Sequence, residues 1–193
     1  VVGAWVDITA EHEQRLALRD REARLQTIVD TEPECVKVVD TRGRLCEMNP
    51  AGLRMLEAQS IDEVQQQSMI DYVMPEHRHA FVSLSRRVFA GGAGTLEFEV
   101  QGLRGTRRWL ETNAVPLRDA SGAVTSLLGI TRDVTEHRAA VEGLRQSEER
   151  YRRIVETTGE GVWMIDGQSR TSFVNQRMAD MLGYTVEQMI GRP

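Results

Sequence analysis

Long apolar runs are missing from this chain: nothing in its 193 residues approaches the roughly 20 consecutive apolar residues that a membrane-spanning helix needs. Cysteine is scarce. Cys35 and Cys46 lack the spacing of any metal or redox motif. If residues 35–40 and 44–48 pair as a hairpin around Thr41-Arg42-Gly43, alternation puts the two thiols on opposite faces of the sheet. No disulfide is then expected, and a reducing, cytoplasmic setting fits. There is no Lys/Arg run with interleaved aromatics, and the net charge is −5, which argues against a nucleic-acid surface. No signal peptide is read at the start, because position 1 falls inside a strand-like run followed by a highly charged helix. Both ends read as cuts through elements, so a piece of a longer protein is expected. Catalytic constellations are missing too: no nucleophile with a base, no paired carboxylates and no phosphate loop. Gly91-Gly92-Ala93-Gly94 follows a helix rather than opening one, so it fails as a phosphate cradle. Catalysis by this chain is not expected, and no metal site is read.

What the chain does have is a distinctive joint. Val124-Thr-Ser-Leu-Leu-Gly-Ile-Thr-Arg-Asp-Val-Thr135 runs from an apolar stretch straight into a Glu/Arg-rich segment. Val1-Val-Gly-Ala-Trp-Val-Asp7-Ile8-Thr9 does the same at the start. Displaced by 126 positions, the separation of Asp7 from Asp133, the chain matches itself without a gap for about fifty residues. Gly3 falls on Gly129, Thr9 on Thr135, Leu18 on Leu144, Ile28-Val29 on Ile154-Val155, Asp40 on Asp166, and Asn49 on Asn175. The expected organisation is the closing strand of a preceding domain (1–9), a linker helix (10–30), a complete domain (31–135), a second linker helix (136–156) and the head of a third repeat (157–193).

Residues 9–31 read as helix, with Thr9 as N-cap and Glu11 in the first turn. Leu18, Leu25 and Ile28 form a narrow stripe on a very polar helix, and Val141, Leu144, Tyr151, Ile154 and Val155 repeat it. The pattern suits a short coiled coil between two subunits, or a helix packed on its own domain. Asn49-Pro50 opens a helix, with Asn as cap and Pro in first position. Ser60-x-x-Glu63 and Thr185-x-x-Gln188 read as capping boxes. Pro75 opens a helix near 75–90 with Phe81, Leu84, Val88 and Phe89 at helical spacing. Strands are expected at 95–103, 107–117 and 124–134. The last is apolar on nearly every residue, hence central and covered on both faces. The fold class is α+β: a five-stranded antiparallel sheet with short helices on one face, flanked by amphipathic linker helices.

These segments resemble the PAS family of sensor domains along the whole chain. The resemblance rests on Ser147-Glu-Glu-Arg-Tyr-Arg-Arg-Ile-Val155, on Gly161-Val-Trp-Met-Ile-Asp166 with Asn175, and on the Gly-Tyr-Thr-x-Glu-Gln-Met-Ile-Gly run at 183–191. Met74-Pro-Glu-His-Arg78, Arg108-Trp-Leu-Glu and Gly129-Ile-Thr-Arg-Asp-Val-Thr135 complete it. It implies a pocket between the concave sheet face and the helices. It also implies a multi-domain bacterial-type signalling protein, most often a sensor histidine kinase and next a diguanylate cyclase.

The resemblance also frames the cofactors. Haem-binding members take an axial histidine from the helix where His77 and His79 stand, although both lie on a polar turn. His12 and His137 sit in polar linkers and read as solvated. The light-sensing branch needs a reactive cysteine near 67–70, where this chain has Ser68-Met69, and its flavin-holding amides would fall on Leu110 and Thr131. Covalent-adduct FMN photochemistry is therefore not expected. Non-covalent FAD stays open, as does no cofactor at all. Strand parity groups Leu110 with Thr112 and Ala114, and Leu127 with Gly129 and Thr131. With Phe81, Leu84 and Phe98 these are the expected pocket lining, suited to a small weakly polar ligand or to a filled core.

Two functions follow. In one, the chain is a sensory input and relay module. It detects a ligand, redox state or partner and passes a shift through Asp133 and Thr135, with Asp7 and Thr9 as counterparts. Thr135 would cap the helix, while Asp133 would accept hydrogen bonds or pair with an arginine. In the other, it is a ligand-free dimerisation and spacing module. The expected partners are a second copy through the linker helices and the neighbouring domains of the same protein, with neither nucleic acid nor membrane contact.

Overall fold

The computed structural model describes residues 9–65 and 67–193, with side chains from residue 12 onward. Asp7 lies outside the described residues, and so does the side chain of Thr9. The chain divides after Glu136 into two compact units.

The first unit opens with helix α1 (Thr9–Thr31) and the hairpin β1 (Cys35–Asp40) and β2 (Leu45–Met48). Asp40 fixes that turn: its Oδ1 accepts the N–H groups of Arg42 and Arg44 at 2.8 and 2.9 Å, and its Oδ2 takes Arg44 Nε at 2.9 Å. Helices α2 (Pro50–Met55) and α3 (Ile61–Gln65) follow, then 3₁₀ turns at Met69–Tyr72 and Pro75–His77, then α4 (Arg78–Phe89). Pro75 therefore starts a 3₁₀ turn, and the α-helix proper begins three residues later than the sequence predicts. Strands β3 (Gly94–Gln101), β4 (Arg107–Arg118) and β5 (Val124–Asp133) complete an antiparallel sheet in the order β2-β1-β5-β4-β3.

β5 is central, as its apolar run predicts. The helices between β2 and β3, however, cover one face only; on the other, Leu25 and Val29 of α1 border Val36, Val38 and Leu128, and Ile130 is left 41% exposed. The covered face carries Cys35, Lys37 and Val39 from β1, Leu110, Thr112 and Ala114 from β4, and Leu127 and Thr131 from β5, all buried. Val64, Met69, Tyr72, Leu84 and Val88 close over it from the helices and turns. Phe98 meets Phe81 edge-on at 5.2 Å and is 2% exposed; burying a side chain of this size contributes on the order of 2–3 kcal/mol, and Phe98→Ala would leave a cavity beneath α4.

Helix α5 (Thr135–Thr157) begins in the first unit, and its residues from His137 belong to the second. There β6 (Trp163–Ile165) pairs with β7 (Thr171–Val174), followed by α6 (Gln176–Leu182) and α7 (Val186–Met189). Asp166 accepts the N–H groups of Gln168 and Arg170, the same bonds that Asp40 makes in the first unit. The capping box at Thr185 and Gln188 forms. At Ser60 the reach-back half closes one residue early, with Glu63 accepting the Gln59 N–H at 2.9 Å. Among the described residues no helix is long and apolar enough to cross a membrane.

Candidate sensory cavity and strand-to-helix joint

Asp133 ends β5, and its carboxylate organises the turn into α5. Oδ1 accepts the N–H and the hydroxyl of Thr135 at 2.9 and 2.5 Å, while Oδ2 pairs with Arg108 Nη1 of β4 at 3.1 Å. Burial pushes this carboxyl up, but the two Thr135 donors and Arg108 outweigh it and hold the group below the usual carboxylate range. Thr135 does not act as the predicted cap. It is the first helical residue, and its hydroxyl oxygen accepts the Trp109 N–H of β4 at 2.9 Å, so Asp133 takes over as acceptor at the helix start. The neighbouring Val134 N–H donates to the Trp109 carbonyl at 2.8 Å. Residues 133–135 are thus latched to Arg108 and Trp109 by side chain and backbone together. The Trp109 ring in turn stands edge-on to His77 at 5.0 Å.

A second anchor holds the incoming helix, and the sequence shows only part of it. Asn49 is the predicted cap of α2, its Oδ1 accepting Gly52 N–H at 3.0 Å. It is also 2% exposed, and Oδ1 accepts Val36 N–H while Nδ2 donates to the carbonyls of Val29, Glu32 and Glu34. One side chain therefore ties the end of α1, the start of β1 and the start of α2. Asn175 repeats the arrangement with Met178 and Val162 N–H and the carbonyls of Val155 and Glu160. The matched asparagines of the two segments were the available signal.

Between the sheet and α4 lies a cavity of about 300 Å³. Of the predicted lining residues, Phe81, Leu84, Thr112 and Leu127 border it. Phe98 and Leu110 do not; they pack deeper, around a void of about 20 Å³. Thr131 also stands back from the cavity, because Lys37 lies between. That lysine is the main surprise. It is the only lysine in the chain and is 4% exposed on the inward face of β1, with Nζ donating to Thr131 Oγ1 at 2.9 Å. Thr131 in turn shares a hydrogen bond with Thr112 Oγ1 at 2.7 Å. Gly129 makes the room: a Cβ there would stand 3.2 Å from Lys37 Cε. Beside it burial pushes the Cys35 thiol up, with Lys37 pulling the other way, so the thiol stays protonated and unreactive.

Neither haem candidate faces this cavity. His79 is exposed, and the half-buried His77 packs on Trp109. No histidine is among the lining residues, so an axial ligand is lacking there. Among the described residues the lining also carries neither Asn nor Gln to hold a flavin ring. Elsewhere, Glu76, His77 and Glu99 bring ligand atoms within 4.8 Å of one another. Glu99 lies 4.0 Å from Arg107.

The arrangement is that of a sensor domain: a small cavity under a sheet whose central strand exits through a latched joint. Residues 29–139 match the family described as PAS fold, and residues 149–193 match it again. The chain belongs to the PAS fold family. Among curated proteins it is 27% identical to the two-component sensor PprA of Pseudomonas aeruginosa, over 98% of this chain and 21% of that protein. It is 32% identical to the probable diguanylate cyclase DgcE of Escherichia coli, over 63% of this chain and 11% of that protein. The chain thus spans about a fifth or less of these relatives. Among solved structures, the PAS domain of an HTR-like protein from Haloarcula marismortui superposes with a TM-score of 0.55 at 17% identity, covering 63% of this chain and 98% of that one. The similar proteins are signalling proteins, and the domain is a sensory module rather than a catalytic one.

Proposed function

We propose that residues 31–135 are the input and relay module of a cytoplasmic multi-domain signalling protein, one of several such domains in tandem. A small ligand in the cavity shifts the sheet, and the joint at Asp133 and Thr135 passes the shift to α5 and on to an output domain. One observation carries this reading. The Lys37–Thr131 hydrogen bond under the cavity falls on β5 two residues before Asp133, so the cavity floor and the joint share one strand. Asp7 and Thr9 are the counterpart joint of the preceding repeat. Similarity to a two-component sensor favours a histidine kinase as output; similarity to a diguanylate cyclase supports that second output. The cavity's size, at the low end for small-molecule sites, favours a compact ligand over FAD.

The test is Asp133→Ala in the full-length protein. Signal-dependent output is expected to fall while the fold persists; unchanged output with an intact fold would remove the relay role. The spacer reading has its own support, since Leu18, Leu25, Ile28, Val141, Leu144, Tyr151 and Ile154 are each at least 54% exposed on α1 and α5. Native mass spectrometry of the purified chain separates the two: a retained small molecule favours sensing, and an empty dimer favours spacing.

A further inference from the structure

Lys37 poses a problem that the relay reading leaves open. An ammonium group offers three donors, yet among the described residues the only acceptor within reach of Nζ is Thr131 Oγ1. No carboxylate pairs with it there. Burying a cation without a counter-charge is costly, and a chain with twenty-three arginines has placed its one lysine here. The cavity above continues the same theme. Among the described residues its lining includes Lys37, Arg42 and Arg86 and no acidic residue. The remaining wall is mostly apolar, with Val39, Met69, Ile70, Phe81, Leu84 and Phe89 among it. One buried positive charge at the floor, a greasy wall and a basic mouth are complementary to a single class of molecule.

We propose that this cavity binds a small organic monocarboxylate with an apolar body, its carboxylate pairing with Lys37 Nζ and its hydrocarbon packed under α4. The proposal rests on the reading of the cavity as a ligand site and names the ligand's chemistry. The bound carboxylate supplies the missing acceptor and counter-charge in a low-dielectric setting, where a charge-assisted hydrogen bond is strong. Arg42 and Arg86 favour entry of an anion. A volume of about 300 Å³ corresponds to roughly ten waters of liquid, enough for an eight-carbon acid and too little for a long acyl chain. Since Thr131 lies between Lys37 and the joint, recruiting Nζ to a carboxylate perturbs a side-chain bond that, together with the one from Thr112, links the cavity lining to β5.

The experiment is calorimetric titration of the 193-residue chain with octanoate and with octanol, the neutral molecule of the same apolar body. Wild type is expected to bind octanoate about ten- to a hundredfold more tightly than octanol, the factor a charge-assisted hydrogen bond supplies. Lys37→Met should lose that preference and bind octanol at least as well as octanoate. If wild type fails to bind octanoate, or binds octanol equally, the proposal is overturned without any variant having to fold. It is also overturned if octanoate binds Lys37→Met as tightly as wild type, which would place the anion on the arginines at the mouth. A separate readout protects the distinction from the relay. If octanoate binds but hydrogen exchange at the Val134 and Thr135 amides is unchanged, the relay fails and the carboxylate site stands.

Discussion

Both polar atoms of the Asn49 side chain are engaged by backbone, two N–H groups on Oδ1 and three carbonyls around Nδ2. An amide oriented this way cannot be replaced by an isostere: Asp would present a second acceptor to three carbonyls, and Ala would leave buried groups unpaired. Asn49→Ala is expected to destabilise the first unit by about 3 kcal/mol, near the upper end for a point mutation. Urea unfolding checks this, and a loss below the usual surface range would show that water replaces the side chain. Lys37 is the harder residue to read in advance. In Cys35-Val-Lys-Val-Val-Asp40 either strand parity is plausible from the residues alone, and a lysine between valines reads as outward. Only the register of β1 against β5, with Lys37 opposite Gly129, brings it inside. The clue within the sequence was compositional: one lysine against twenty-three arginines.

At the scale of elements, the sheet was the legible part. The unbroken apolar run of 124–130 marks β5 as central, and alternation in β4 and β5 identifies the buried residues Leu110, Thr112, Ala114, Leu127 and Thr131. Caps were less legible, because cap preference is local whereas the acceptor chosen depends on which backbone donors lie nearby. Thr135 illustrates this: Trp109 N–H, at the start of β4, claims the hydroxyl. Thr135→Val would leave that N–H without its acceptor and should cost about 1–3 kcal/mol, measurable by denaturant midpoint at constant slope. The joint should also be insensitive to pH around neutrality. Asp133 has a lowered folded-state value, so its stabilisation is complete above the ordinary carboxylate range and is lost only as pH falls through the folded value. Wild type and Asp133→Asn should therefore keep a constant stability difference from about pH 5 to 8 and converge only in stronger acid. A difference that changes near neutrality would mean that another group controls the latch.

For the whole molecule, the exposed stripe on α1 and α5 is what remains unsatisfied. Leu144 is 63% and Tyr151 68% exposed on a helix with no buried residue. Such a stripe is stable in water when it meets its like in a second subunit. Sedimentation equilibrium should show a dimer of the 193-residue chain, and Leu144→Glu with Ile154→Glu should yield a monomer of unchanged helical content. A monomer at every concentration would leave the stripe without a coiled-coil role. The position of β5 adds a constraint on how any such assembly is driven. It is held by backbone ladders to β1 on one edge and β4 on the other, so it cannot slide without breaking both. In the relay we propose, what the strand would transmit is bending of the sheet, read out as a change in the direction in which α5 leaves it. A helix of 23 residues is about 35 Å long at 1.5 Å per residue, so a tilt of about 10° at the joint would carry its far end through roughly 6 Å. Under the relay we propose, the sheet would act as a stiff spring plate and α5 as the pointer that magnifies its flexing.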